Sequence, residues 1–137
     1  MSDPTRLAPH DLVAFTRRFR LSGGRLRRVR LRTPRGKAVA VELHVTASEG
    51  GNPVRLVLRL EGVEEYRFQM RPGQPKVRIA DARIGYLNGL FFVNLDAWGL
   101  EPGEQPKLHD YRGSEAYAGG RELFWHAVPP KAPPPAA

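Results

Sequence analysis

The chain has 137 residues and no cysteine, and its 22 basic and 14 acidic side chains leave a formal net charge of +8. That length suits one domain with a single core, and the missing thiols exclude a disulfide framework, a zinc ribbon and a cysteine nucleophile. Hydrophobic residues at 41% exclude a wholly disordered chain. No apolar run approaches the roughly 18 residues of a membrane span or forms a signal-peptide core, so a soluble cytoplasmic domain is expected.

The charge is concentrated. Residues 1–37 carry 11 basic and 2 acidic side chains, a balance of +9, whereas residues 38–137 carry 11 and 12, a balance of −1. A localised excess of this kind attracts nucleic acid, an anionic membrane or an acidic protein. Arginine outnumbers lysine 18 to 4, which a GC-rich coding sequence also explains.

Residues 1–9 read as an irregular lead-in. From His10 to Leu21 the spacing of Leu12, Phe15 and Phe19 predicts a helix, ended by Gly23-Gly24, with Arg17, Arg18 and Arg20 on its other faces. Three turns do not stand alone in water, so the aromatic face must dock. From Arg25 the period becomes two. In Arg25–Thr33, Val29 and Leu31 alternate with Arg28, Arg30 and Arg32, and a bulge near Arg27-Arg28 brings Leu26 into phase. Val39, Val41, Leu43 and Val45 mark the next strand, Lys37–Thr46. A three-residue turn at Pro34-Arg35-Gly36 would set Arg28 opposite Glu42 and Leu31 opposite Val39.

Val54, Leu56, Leu58 and Leu60 give a third strand, and Val63, Tyr66, Phe68 and Met70 a fourth after a break at Glu64-Glu65. A fifth begins near Val77, beyond Pro72-Gly73-Gln74-Pro75. Asn88-Gly89 is the strongest local signal, a two-residue type I′ hairpin that pairs Leu87 with Leu90, Tyr86 with Phe91 and Ile84 with Val93. One face of that hairpin is core-like. The other is apolar near the turn through Leu87, Leu90 and Phe92, and either the N-terminal helix or a partner is expected to cover it. Residues 99–120 read as a long loop, and 121–128 as a last strand with Leu123, Trp125 and Ala127 on one face. No proline falls inside an expected strand. The expected fold is α+β: an N-terminal helix on a mainly antiparallel β-meander of six to seven strands, residues 1–128, then a proline-rich tail, 129–137.

Chemistry-bearing motifs are few. The four histidines share no ligand spacing, and there is no HExxH, phosphate loop or GxSxG elbow, so neither metal nor cofactor nor catalysis is expected. Asp81 and Asp96 fall opposite one another in the Asn-Gly register, where a cation or a shared proton, with His109 or Asp110 nearby, would relieve repulsion. A bridging Arg83 or splayed strand ends would do so equally well. Arg28, Arg30 and Arg32, at roughly 6 to 7 Å per step, form a stripe able to track a nucleic-acid backbone, widened by Arg17 and Arg18. Against that reading, the aromatics fall on the apolar faces, leaving no stacking platform among the arginines. Tyr111, Arg112 and Tyr117 in the long loop are the candidate protein-binding contacts, because tyrosine and arginine are frequent anchors at interfaces.

Three segments, LRLEGVEEYRF (58–68), GYLNGLFFVNLDAW (85–98) and SEAYAGGRELFWHAV (114–128), resemble small β-rich bacterial proteins related to immunity proteins of polymorphic toxin systems. The resemblance implies a non-catalytic protein that binds and occludes a cognate toxin. A net charge of +8 departs from the acidic surfaces usual there and implies an acidic partner. The alternative expectation is a nucleic-acid-binding domain using the arginines of the helix and first strand.

Overall fold

Alternation of apolar and charged residues over long stretches drives this chain into sheet, and the computed structural model describes it at residues 4–33, 35–36, 38–68, 77–79, 82–95 and 116–128. The elements in order are β1 (Thr5–Leu7), a 3-10 turn (Pro9–Asp11), α1 (Leu12–Arg18), β2 (Arg20–Arg32), β3 (Ala40–Glu49) and β4 (Asn52–Phe68). They are followed by β5 (Val77–Arg78), β6 (Arg83–Leu87), β7 (Leu90–Asn94) and β8 (Ala116–Val128). All eight strands join one sheet, ordered β5-β2-β3-β4-β8-β7-β6, with β1 also paired to β8.

The described architecture is therefore a mainly antiparallel sheet with one short N-terminal helix, but the chain does not run through it as a simple meander. β2-β3-β4 and β6-β7 are consecutive neighbours, whereas β5 crosses to the far side of β2 and β8 inserts between β4 and β7. In that place β8 has β4 along one edge and β7 and β1 along the other, with Leu123 in the core.

Five further expectations change. The helix is seven residues long rather than twelve-like, because period-two burial already starts at Phe19: Phe19 and Leu21 are buried and Arg20 exposed. Residues 5–7 are a strand rather than a lead-in, and Pro53 lies inside β4, at its second residue opposite Ser48, where it costs little. The expected third and fourth strands are one, kept continuous by a bulge between Val63 and Glu65. The β2–β3 ladder pairs Arg28 with His44, Arg30 with Glu42 and Leu31 with Val41, two residues from the expected register. Because a slip of two preserves side-chain parity, each residue keeps its expected face.

The core lies on one face of the sheet, where α1 docks. Leu12, Phe15 and Phe19 join Leu43, Leu58, Leu60, Val93 and Leu123. Phe15, Phe19 and Trp125 form a tilted aromatic triangle with centroids 5.0 to 5.6 Å apart. The helix thus covers the Phe91–Val93–Leu95 face of the hairpin, not the Leu87–Leu90–Phe92 face suggested as its alternative dock. Those latter residues form a separate small cluster with Tyr117. At the hairpin turn Asn88 and Gly89 have φ of 53° and 78°, as a type I′ turn requires, and the pairing is the expected one. Among the described residues no helix is long and apolar enough to cross a membrane.

Candidate functional site on the outer sheet face

The face turned away from α1 carries the arginines. Across β2, β3, β4, β8 and β1 the cross-strand register lines up Arg30, Glu42, Arg59, Phe124 and Arg6 in one row. The neighbouring rows read Arg28, His44, Val57, His126 and Arg25, Thr46, Arg55, Val128. Directly opposite residues share a face at about 4.5 to 5.5 Å, so these rows form one continuous surface. Its centre is apolar, with Val57 buried and the Arg59 guanidinium stacked 5.0 Å from the Phe124 ring centroid.

An aromatic ring does share this face, beside Arg59, but it lies three strands, about 14 Å, from the Arg28–Arg32 stripe, which has no aromatic of its own. Sequence alternation put Phe124 opposite Leu123 and Trp125, but only the insertion of β8 beside β4 brings it to Arg59.

Carboxylates neutralise part of the surface. Arg32 Nη1 lies 3.3 Å from Glu42 Oε2, Arg59 Nε 3.1 Å from Glu61 Oε1 and Arg6 Nε 3.8 Å from Glu122 Oε2. The expected Arg28–Glu42 neutralisation is replaced by Arg32–Glu42, because the register is displaced by two. Among the described residues Arg25, Arg28, Arg30 and Arg55 make no ion pair or side-chain hydrogen bond. Their charge is therefore unspent and faces solvent. Beneath the surface His44 Nε2 and Arg59 Nε are buried without a hydrogen-bond partner; His44 Nε2 is 3.6 Å from Glu42 Oε1, and the Arg59–Glu61 pair lacks hydrogen-bond geometry.

The helix arginines lie elsewhere. α1 sits on the core side of the sheet, so Arg17 and Arg18 are separated by its full thickness from Arg28, Arg30 and Arg32. Arg18 is occupied there: its Nε is 2.7 Å from Glu49 Oε2, and its guanidinium lies 4.6 Å from the Phe19 ring and 5.4 Å from that of Trp125. The composite footprint of helix and strand expected from the sequence is divided between two faces.

Tyr117 belongs to β8 rather than to the long loop. It is 6% exposed, and its hydroxyl donates to Glu65 Oε1 at 3.3 Å. Tyr111 and Arg112 lie outside the described residues, as do Asp81, Asp96, His109 and Asp110. Among the described residues no three His, Asp or Glu side chains are grouped to hold a metal ion.

Compared with family models, curated proteins and solved structures, the chain has no significant match.

Proposed function

We propose that the protein is a non-catalytic binding domain that takes another protein, acidic where it touches, on the outer face of the sheet. The observation that carries this is the composition of that face. Unpaired arginines and matched Arg–Glu pairs surround the half-buried Arg59–Phe124 stack. Protein interfaces favour arginine and aromatic anchors inside a polar rim. Tyr111 and Arg112 stay in the proposed contact set; Tyr117, being buried, supports rather than touches. The resemblance to immunity proteins extends the reading to neutralisation of a toxin by occlusion, in the cytoplasm.

The test is affinity capture from the native extract with the wild-type chain and with the Arg28→Glu/Arg30→Glu double variant. One stoichiometric protein retained by the first and lost by the second supports the proposal. Recovery of chaperones and ribosomal proteins alone refutes it.

A nucleic-acid reading draws on one specific observation, Phe124 beside Arg59 on the same face as the β2 arginines, which offers a stacking surface. It predicts oligonucleotide binding that weakens steeply with salt and disappears on charge reversal at Arg30 and Arg32. Binding that ignores salt, or none, removes it.

A further inference from the structure

The outer face changes character along its strands. On β3 it presents Glu42, His44, Thr46 and Ser48, and β2 sets Arg30, Arg28, Arg25 and Arg20 opposite them in turn. β4 sets Arg59 opposite Glu42 and Arg55 opposite Thr46. Carboxylates hold one end of this array: Glu42, Glu61 and Glu122 compensate Arg32, Arg59 and Arg6. At the other end, in the rows of His44, Thr46 and Ser48, no Asp or Glu among the described residues is paired into place from β2, β4 or β8. Glu49 follows on β3, but it lies on the core side and is taken by Arg18. Arg20, Arg25, Arg28 and Arg55 are exposed to solvent in the full chain, and among the described residues none of them enters an ion pair or a side-chain hydrogen bond.

The register also gives this end a shape. Arg25 and Arg55 flank Thr46 from two strands apart, roughly 10 Å, and Arg28 follows Arg25 roughly 7 Å along β2. Long cationic side chains therefore wall a floor of short hydroxyl-bearing ones, Thr46 and Ser48. Guanidinium forks on two sides with hydroxyl donors between them suit carboxylates. A nucleic-acid backbone suits them less well. It is charged at every step, whereas the three rows cover only roughly 14 Å before Glu42 and Glu61 oppose it. A protein surface can change from acidic to apolar within that distance, as this face itself does toward the Arg59–Phe124 stack.

We propose that the protein partner seats a cluster of carboxylates at this end, between Arg25 and Arg28 on one side and Arg55 on the other, and turns uncharged groups to the Arg59–Phe124 end. This rests on the protein-partner reading and fixes which way round the partner sits. Repulsion by Glu42 and Glu61 disfavours the reverse orientation.

The experiment titrates the isotopically labelled full chain with blocked tetraglutamate at low salt, following backbone amide and arginine Nε–H resonances. The largest shifts are expected at Arg25, Thr46 and Arg55. Affinity is expected to fall at least about tenfold in Arg25→Gln/Arg55→Gln and to stay unchanged in Phe124→Ser. Arg28→Gln/Arg55→Gln serves as a second variant should the first disturb the fold. Largest shifts at Arg30, Arg32 or Arg59, equal binding by Arg25→Gln/Arg55→Gln, or no binding overturns the proposal. So does tighter binding of an oligothymidylate of equal charge at the same residues, which would name a phosphate backbone as the ligand. If capture from the native extract is lost on Arg28→Glu/Arg30→Glu but kept by Arg25→Gln/Arg55→Gln, the orientation fails and the partner reading stands. Tetraglutamate bound at Arg25 and Arg55 with no captured protein leaves the carboxylate site standing and removes the partner reading.

Discussion

Glu42 is the carboxylate on which the arginine face turns, and Glu42→Gln tests that directly. It is 9% exposed, stands opposite Arg30 on one side and Arg59 on the other, and has Arg32 Nη1 at 3.3 Å. The substitution keeps the shape and removes one negative charge. At an effective dielectric of about 20, an ion pair near 3.3 Å has a gross attraction of about 5 kcal/mol. The Arg32 side chain is 46% exposed, so solvent cancels most of this and leaves about 1 kcal/mol. Releasing the repulsion among Arg30, Arg32 and Arg59 raises the total loss of stability to about 1 to 2 kcal/mol. For a chain of 137 residues that is a fall of roughly 3 to 8 °C in Tm. Thermal and urea unfolding at low salt would measure it, and repetition in about 1 M salt, where the screening length is about 3 Å, should shrink the deficit. A variant as stable as wild type at low salt, or a deficit indifferent to salt, would refute the electrostatic account. The same variant has a more positive face, so association with an acidic partner should be faster.

Three other outcomes follow from the packing. Gly24→Ala should cost about 3 kcal/mol or more in urea unfolding, since the new Cβ would overlap the Thr46 carbonyl oxygen and disturb the bond from Ile79 N–H to Gly24 O; a loss under about 1 kcal/mol contradicts this. Phe19→Ala, at a residue 2% exposed, should cost about 3 to 5 kcal/mol and shift tryptophan emission through the lost contact with Trp125; unchanged emission would show that the triangle is not formed. Phe124→Ser should cost about 1 kcal/mol, mainly the Arg59 stack, yet weaken partner capture; full capture would remove Phe124 from the interface.

The parts of the fold legible in the sequence were those decided by neighbours in the chain. Asn88-Gly89 demands positive φ at two successive positions, so the hairpin and its pairing follow from two residues. Period two fixed which side chains of β2, β3 and β8 share a face, and the bulge at Leu26–Arg28 was visible as a phase error. Pairing across longer loops was not legible in the same way. Pro34-Arg35-Gly36 suggested a tight turn, whereas the ladder opens at Arg32 and Ala40. Parity is insensitive to that slip, but ion pairing is not, which is why Glu42 acquired a different partner. Gly62, beside the bulge, let β4 continue where Glu64-Glu65 suggested a break. The make-up of the outer face depends on strand order, a non-local property: nothing near Phe124 in sequence announces Arg59, and nothing near Arg17 reveals that the sheet separates it from Arg28.

The pairing of β1 with β8 has a kinetic consequence. Thr5, Arg6 and Leu7 find their partners only at Trp125, Phe124 and Leu123, and α1 packs against Trp125 as well. During synthesis β1 and α1 therefore wait until β8 has been made before they can settle. Loop closure over such a span is entropically costly, and sheets dominated by distant pairings fold in milliseconds to seconds. Until β8 arrives, the apolar side of β4 and the aromatic helix remain uncovered together. The arginines along β2 would then keep nascent chains apart.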